Sequence, residues 1–190
     1  IKFREQYDID NETITPSNNL DNELNITIDN KSGAIISGKG ASKKKAISLA
    51  QDFSGLSGVD LAKEVTTLDA YEWSQGEWGK GESEKKYIVV VLDFGVKKNI
   101  LRIFYQKGCN VFVLPARSTI SDILAYKPDG IFLSNGPGDP EPCDYAIKAI
   151  KEIIKKRIPL FGICLGHQLL SIALGGMTEK MRFGHHGANH

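Results

Sequence analysis

The sequence of 190 residues is poor in cysteine, has almost no excess charge and lacks a long apolar run. Lys and Arg together number 24 and Asp and Glu number 23, which leaves a net charge of +1. A surface for nucleic acid or for an anionic membrane is therefore not expected. No apolar stretch reaches the roughly 18 residues of a membrane-spanning helix, and the polar start has no signal-peptide core. We expect a cytoplasmic protein with neither nucleic acid nor membrane as a partner.

The three cysteines, Cys109, Cys143 and Cys164, are odd in number and far apart. This spacing fits neither a disulfide framework nor a CxxC metal knuckle, so each thiol is interpreted by itself. Cys109 and Cys143 lie at the edges of predicted elements, and we interpret both as structural.

Three histidines close the sequence, at positions 185, 186 and 190. His186 and His190 are four residues apart, but Gly187 disfavours a helix between them and no HExxH glutamate is present. We therefore predict a glycine-rich loop there and no metal site.

The first 80 residues divide into two parts by composition. Residues 8–30 contain six Asn and four Asp and offer little apolar surface to offset the entropy of ordering, so residues 1–30 are predicted to be a divergent or disordered segment. Residues 31–80 are predicted to be a small partial domain, with a strand in SGAIISG, a helix over 43–53 and a helix from Asp60. The lysines that open the helix over 43–53 are interpreted as a solvated helix start.

A polar segment at residues 81–86 is the predicted linker to the rest of the chain, residues 87–190. The run YIVVVLDF from Tyr87 is typical of a strand buried on both faces of a parallel sheet. Strand and helix patterns then alternate four times, which predicts a parallel α/β sheet with right-handed crossovers. The predicted strands are 87–94, 110–115, 129–134 and 158–163, and the predicted helices are 97–108, 119–127, 144–157 and 165–176. Ligands of such sheets bind beyond the carboxyl ends of the strands.

A nucleophile-elbow pattern follows the fourth predicted strand, where Cys164 stands between Gly162 and Gly166. The turn would strain the nucleophile, and side chains two residues to either side would collide with neighbouring backbone. The sulfur would lie at a helix N-terminus, which favours the thiolate, and the N–H of Leu165 would point at a developing oxyanion. The alternative is a thiol packed in the core, the usual fate of a free cysteine.

A rigid glycine–proline loop, residues 134–140, follows the third predicted strand as Ser-Asn-Gly-Pro-Gly-Asp-Pro. The N–H of Gly136 would supply a second oxyanion donor beside Cys164. The alternative is a tight strand-to-helix turn without a catalytic role.

These motifs together carry a family resemblance. FGICLGHQLL and LSNGPGDP resemble class I glutamine amidotransferase domains, which are flavodoxin-like α/β domains. VLDFGVKKNILR and KMRFGHHGANH are more closely similar to the small-subunit family of carbamoyl-phosphate synthases, and GLSGVDLAKEVTT resembles the N-terminal domain of that subunit. The resemblance extends over about residues 31–190, and it identifies the chain as a member of an enzyme family.

The resemblance implies a role for five residues. Cys164 matches the nucleophile that attacks glutamine and becomes a glutamyl thioester, Leu165 and Gly136 match the oxyanion donors, and Gly138 and Gln168 match positions that hold glutamine. The family passes the released ammonia to a large subunit, which uses ATP, Mg²⁺ and bicarbonate to make carbamoyl phosphate for pyrimidine and arginine biosynthesis. No cofactor is implied for this chain itself.

The sequence departs from the family at both ends. The family's general base is a His in a downstream Q-G-H-P-E segment, oriented by its Glu, and this sequence contains neither that segment nor the N-H-G-F segment that also binds glutamine. The D-T-R-x-L-T motif and an upstream glutamine-binding serine are also absent before SGAIISG. We therefore expect a truncated member with an incomplete amidotransferase domain, uncovered apolar surface and defective catalysis.

Two other interpretations stay open. In the first, the chain is a non-catalytic remnant or binding module that at most docks on the large subunit. In the second, it is an unrelated α/β protein, either a cysteine hydrolase or a flavodoxin-like binder of a phosphate ligand.

Overall fold

The computed structural model of the chain describes residues 25–29, 34–38, 52, 55–81 and 83–181. Two compact units are distinguished, Ile1–Ser57 and Gly58–His190. The predicted helix over 43–53, apart from Asp52, and the predicted glycine-rich loop with the last three histidines lie outside the described residues.

The first unit contains an antiparallel pair of strands, β1 (Asn25–Asp29) and β2 (Ala34–Gly38). β2 confirms the strand predicted in SGAIISG. β1 differs from the disordered segment predicted over residues 1–30. Its sequence NITID places three β-branched residues in a row, a composition that favours a strand, within a stretch whose many Asn and Asp favour turns.

The second unit is a five-stranded sheet of order β3-β5-β4-β6-β7. β3 is antiparallel to β5, and the other neighbours are parallel. All four predicted strands and all four predicted helices of the α/β part are confirmed, with ends shifted by a few residues, and a short helix near Asp60 is confirmed as well. The strands are β3 (Tyr71–Trp73), β4 (Tyr87–Asp93), β5 (Cys109–Pro115), β6 (Gly130–Leu133) and β7 (Leu160–Gly162), and the helices are α1 (Ala62–Val65), α2 (Lys98–Gln106), α3 (Ile120–Leu124), α4 (Asp144–Lys155) and α5 (Leu165–Ala173).

The central strand β4 is buried on both faces, as its apolar run predicts. Val90 and Leu92 belong to a core cluster that includes buried residues of α3, α4 and α5. Val89 and Val91 belong to a second cluster, to which α2 contributes Leu101. The sheet is therefore covered by helices on both faces, which is the layer arrangement of an α/β domain.

The compact α/β unit begins before the predicted linker. β3, which was not predicted, pairs Tyr71 with Val113 and Trp73 with Val111 of β5, and Ala62 of α1 is fully buried in the core. Residues 58–80 therefore belong to the compact unit that contains the sheet. The three-residue strand β3 is stable because β5 offers it a partner, which the polar, glycine-rich sequence around β3 does not signal. The domain division at residues 81–86 stays a prediction.

Apolar side chains are exposed around the edge strand β7 and beyond α5. Phe161 of β7 is 65% exposed, and Leu174 and Met177 are 67% and 96% exposed. This agrees with the uncovered apolar surface that the sequence predicts. Among the described residues, no helix is long and apolar enough to cross a membrane.

The two faces of α2 give a direct test of this packing. Leu101 is fully buried, whereas Ile103 on the same helix is 42% exposed. Leu101→Ala is expected to lower the free energy of unfolding by about 2–5 kcal/mol, and Ile103→Ala by less than about 1 kcal/mol. Urea unfolding followed by circular dichroism measures both, and equal losses would contradict the placement of α2.

Candidate active site

Cys164 occupies the sharp turn between β7 and α5. Its backbone has φ +51° and ψ −113°, in the region of positive φ that residues other than glycine rarely adopt. The side chain is exposed, and the residue directly precedes the first turn of α5. The strained turn predicted from the glycine spacing is therefore present.

The glycines on either side of Cys164 are required by close backbone contacts. A Cβ atom at Gly162 would lie 2.6 Å from the carbonyl carbon of Gly166. A Cβ atom at Gly166 would lie 2.6 Å from the carbonyl carbon of Leu133, at the end of β6, and nearer still to its oxygen. No side chain fits at either position unless backbone moves, in agreement with the collisions predicted from the glycine spacing.

The two predicted oxyanion donors have no protein acceptor in the described part of the chain. Hydrogen bonds are assigned to neither the Leu165 amide nor the Gly136 amide, and the turn has no side-chain cap. By contrast, the Gly166 N–H donates to the Ser134 carbonyl at 3.1 Å. This bond joins the first turn of α5 to the start of the glycine–proline loop, so the amides of Leu165 and Gly136 come from two joined segments at the same edge of the sheet.

The glycine–proline loop is fixed to the end of β4 by polar side chains. The Phe94 N–H donates to Ser134 Oγ at 2.8 Å. Asn135 Nδ2 donates to the Gly95 carbonyl at 2.9 Å, and the Lys97 N–H donates to Asn135 Oδ1 at 3.2 Å. These bonds anchor the residues immediately before Gly136, so the path of the loop is set by β4 as well as by β6.

Residues 58–67, which we call the strap, pack along the carboxyl ends of the strands. The Thr67 N–H donates to Asp93 Oδ2 at 2.7 Å, and the Ala116 N–H donates to Thr66 Oγ1 at 2.9 Å. Asp93 is 4% exposed, and its other oxygen accepts from two amides of the loop that follows β4, Gly95 at 2.9 Å and Val96 at 2.8 Å. Burial of this carboxylate is compensated by three backbone donors.

Sequence reasoning missed Asp93 and the strap as parts of this edge, and it gave Asn135, a residue of the predicted loop, no role of its own. An aspartate directly after the apolar run of β4 was a usable signal, because parallel strands present polar groups where they end. No signal of periodicity or spacing indicates that residues near 60 lie against residues near 140.

The predicted glutamine-binding residues lie at the same edge. Gln168 is exposed in the first turn of α5, and its N–H donates to the Cys164 carbonyl at 3.0 Å. Gly138 has φ +95° in the middle of the glycine–proline loop. Their roles toward glutamine stay predictions. No group of His, Cys, Asp and Glu suited to a metal ion occurs among the described residues.

The other two thiols differ from Cys164 in exposure. Cys109 and Cys143 are buried, whereas Cys164 is exposed. Burial raises the pKa of Cys109. Burial and the Asp60 carboxylate, whose Oδ1 lies 3.5 Å from Cys143 Sγ, raise the pKa of Cys143 to about 12. Both groups are held as protonated thiols near neutral pH, which leaves Cys164 as the exposed thiol of the chain.

Residues 90–190 match the family described as Glutamine amidotransferase class-I, and the chain belongs to this family. Within it, the chain is similar to proteins named carbamoyl phosphate synthase small chain. It is 55% identical over 168 residues to the one from Pseudomonas syringae pv. tomato, 52% identical over 168 residues to the one from Vibrio parahaemolyticus, and 54% identical over 165 residues to the one from Ralstonia nicotianae.

These alignments cover 84% of the chain and 43–44% of each relative. The chain therefore spans less than half the length of the curated relatives it matches. The family predicted from the motifs is confirmed, as is the α/β fold class.

The strain at Cys164 predicts an unusual stability effect. Cys164→Gly is expected to raise the free energy of unfolding by about 1 kcal/mol relative to Cys164→Ala, since glycine adopts positive φ without a Cβ clash. The same pair of substitutions at Cys109, in strand β5, is expected to favour alanine. Urea unfolding of the four variants measures this. A Cys164→Gly variant less stable than Cys164→Ala would contradict the strained turn.

The raised pKa of Cys143 predicts a loss of stability in alkali. The unfolded chain releases this proton near the ordinary value of about 9, whereas the folded chain holds it up to about 12. The contribution to stability is therefore complete below the ordinary value and is lost as the pH rises towards the folded value. Cys143→Ser keeps a hydroxyl beside Asp60 but does not titrate in this range. Between about pH 8.5 and pH 11, the slope of its unfolding free energy against pH is expected to be less negative than that of the unmodified chain, by the equivalent of up to about one proton released on unfolding. Urea unfolding at several pH values measures the slope, and identical slopes would contradict the assignment.

Proposed function

We propose that the chain carries the glutamine-hydrolysing site of a carbamoyl-phosphate synthase small subunit, with Cys164 as its nucleophile. The observation that carries the proposal is the strained, exposed Cys164 at the start of α5, at the edge of the sheet where the amides of Leu165 and Gly136 find no acceptor among the described residues. The family membership and the similarity to proteins named small chain support the same assignment.

The reaction follows from these positions. Cys164 Sγ attacks the side-chain carbonyl carbon of glutamine, and the electron pair of the C=O bond moves to its oxygen. The N–H groups of Leu165 and Gly136 donate to this oxyanion, which lowers the barrier because they need no reorganisation. Collapse of the intermediate breaks the C–N bond, and the leaving nitrogen takes up a proton and departs as ammonia. Water then hydrolyses the thioester, which releases glutamate and restores the thiol.

The binding residues complete this assignment. Gly138 and Gln168 hold the glutamine substrate, one from the glycine–proline loop and one from the first turn of α5. The chain itself binds no cofactor. The ammonia passes to a large subunit that consumes ATP, with Mg²⁺, and bicarbonate to form carbamoyl phosphate for pyrimidine and arginine biosynthesis. The cytoplasmic location stays a prediction from the sequence.

Proton transfer is the weak step in this chain. The resemblance assigns the general base to a histidine in a Q-G-H-P-E segment, which the 190 residues do not contain. His167 is the only histidine among the described residues, and it is exposed in α5. Without a base that takes the thiol proton and returns it to the leaving nitrogen, turnover is slow. We therefore propose that Cys164 still reacts with an electrophile held by Gly138 and Gln168 and that hydrolysis of glutamine by the chain alone is defective.

Covalent labelling tests the nucleophile without requiring turnover. A chloroketone analogue of glutamine is expected to alkylate Cys164 with loss of chloride, which mass spectrometry detects as one adduct per chain. Free glutamine is expected to slow the reaction, Cys164→Ser to abolish it, and Cys109→Ser, the same change at a buried thiol, to leave it intact. Labelling that persists in Cys164→Ser, or that glutamine does not slow, would refute the proposal.

Ammonia release separates the enzyme from the non-catalytic alternative. The chain and its Cys164→Ser variant are assayed with glutamine, with and without a carbamoyl-phosphate synthase large subunit. Release that depends on Cys164 identifies a working glutaminase. Labelling without release under either condition identifies a binding module that retains the elbow.

A further inference from the structure

Asp139 fastens the glycine–proline loop to the strap. Its backbone N–H donates to the Val59 carbonyl at 3.0 Å, and its Oδ2 accepts from the Gly58 N–H at 2.7 Å. The other carboxylate oxygen, Oδ1, accepts from the Glu141 N–H at 3.0 Å. The Asp139 carbonyl also accepts from Cys143 Sγ at 3.5 Å. One residue therefore makes four hydrogen bonds, two to the strap and two to the chain that leads into α4.

The loop between Gly136 and Asp139 is in close contact on two sides. A Cβ atom at Gly138 would lie 2.8 Å from both the Leu61 nitrogen and the Val59 oxygen of the strap. A Cβ atom at Gly136 would lie 2.9 Å from the Phe94 Cβ, and nearer still to the Phe94 carbonyl oxygen, at the end of β4. The loop is thus wedged between the strap and β4, and Asp139 supplies the polar bonds on the strap side.

The carboxylate of Asp139 is held by backbone hydrogen bonds, and among the described residues it forms no ion pair. Its assigned donors are all backbone N–H groups. Two backbone donors on two different oxygens fix both the position and the rotation of the carboxylate.

We propose that Asp139 is a positioning residue of the glutaminase site, an inference that rests on the proposed function. It holds Gly138 and Gly136 at the distance from Cys164 that substrate binding and the oxyanion require. It does not touch the reacting atoms. A displacement of the loop by about 1 Å would be enough to lower the rate of attack about a hundredfold.

Two substitutions test this inference against a matched control. Asp139→Ala removes both acceptors, whereas Asp139→Asn keeps one oxygen that cannot serve the Gly58 and Glu141 amides together. Asp144→Asn is the control, because Asp144 is an exposed aspartate whose carboxylate pairs with Lys148 at 2.7 Å on α4. For each variant, the rate of Cys164 labelling is measured with the chloroketone analogue of glutamine and with iodoacetamide.

The ratio of the two labelling rates is the decisive quantity. Iodoacetamide needs an accessible thiol but no glutamine subsite, so its rate is expected to stay unchanged in all variants. The chloroketone rate is expected to fall about ten- to a hundredfold in Asp139→Ala, less in Asp139→Asn, and not in Asp144→Asn. Thermal unfolding is recorded alongside, and if Asp139→Ala does not fold, the Asn variant decides the question.

Each other outcome overturns a defined statement. If the unmodified chain is not labelled by the chloroketone, the proposed function fails and the inference falls with it. If the unmodified chain is labelled and the Asp139 variants are labelled at the same rate, the inference alone fails. If both reagents slow together, Asp139 supports the fold and has no specific role in positioning the loop.

Discussion

The close contact between Gly166 and the backbone of Leu133 is the constraint on which the rest of the site depends. Because no side chain separates α5 from the end of β6, the helix begins directly against its neighbouring strand. The same approach allows the Gly166 N–H to bond the Ser134 carbonyl, and it places Leu165 beside the loop that carries Gly136. A cysteine, a helix N-terminus and a second amide are thereby brought together by packing of backbone against backbone, a contact that larger residues would prevent.

The polar side chains at this edge act mainly on backbone groups. Asp93, Ser134, Asn135 and Asp139 each hydrogen-bond to main-chain atoms of a segment that is distant in sequence or to the turn that follows them. Each such bond contributes only about 0.5–1.5 kcal/mol. Together they fix loops that lack the regular ladders of a sheet, and a catalytic site on loops needs that support because its geometry tolerates little displacement.

The α/β layer was predictable and the position of the strap against it was not, for a physical reason. Long apolar runs and helical spacing reflect burial, so the pattern around β4 and α4 is visible in the sequence. The elbow was visible because its glycines follow from local crowding. β3 and the bonds of Asp139 depend instead on partners elsewhere in the chain, and a strand of three residues such as β3 has no local sequence signal strong enough to predict it.

The strap also has a consequence for the order in which the polypeptide folds. Gly58 and Asp139, which bond to each other, are separated by 81 positions, and Asp60 and Tyr145 by 85. During synthesis at about 5–20 residues per second, the strap leaves the ribosome on the order of ten seconds before the residues that it packs against. Closing so long a loop has an entropic cost that is offset only when the contacts at its two ends form. We therefore expect this edge to assemble late in folding, after the sheet. During synthesis the strap is therefore exposed until the part of the chain that it packs against has been made.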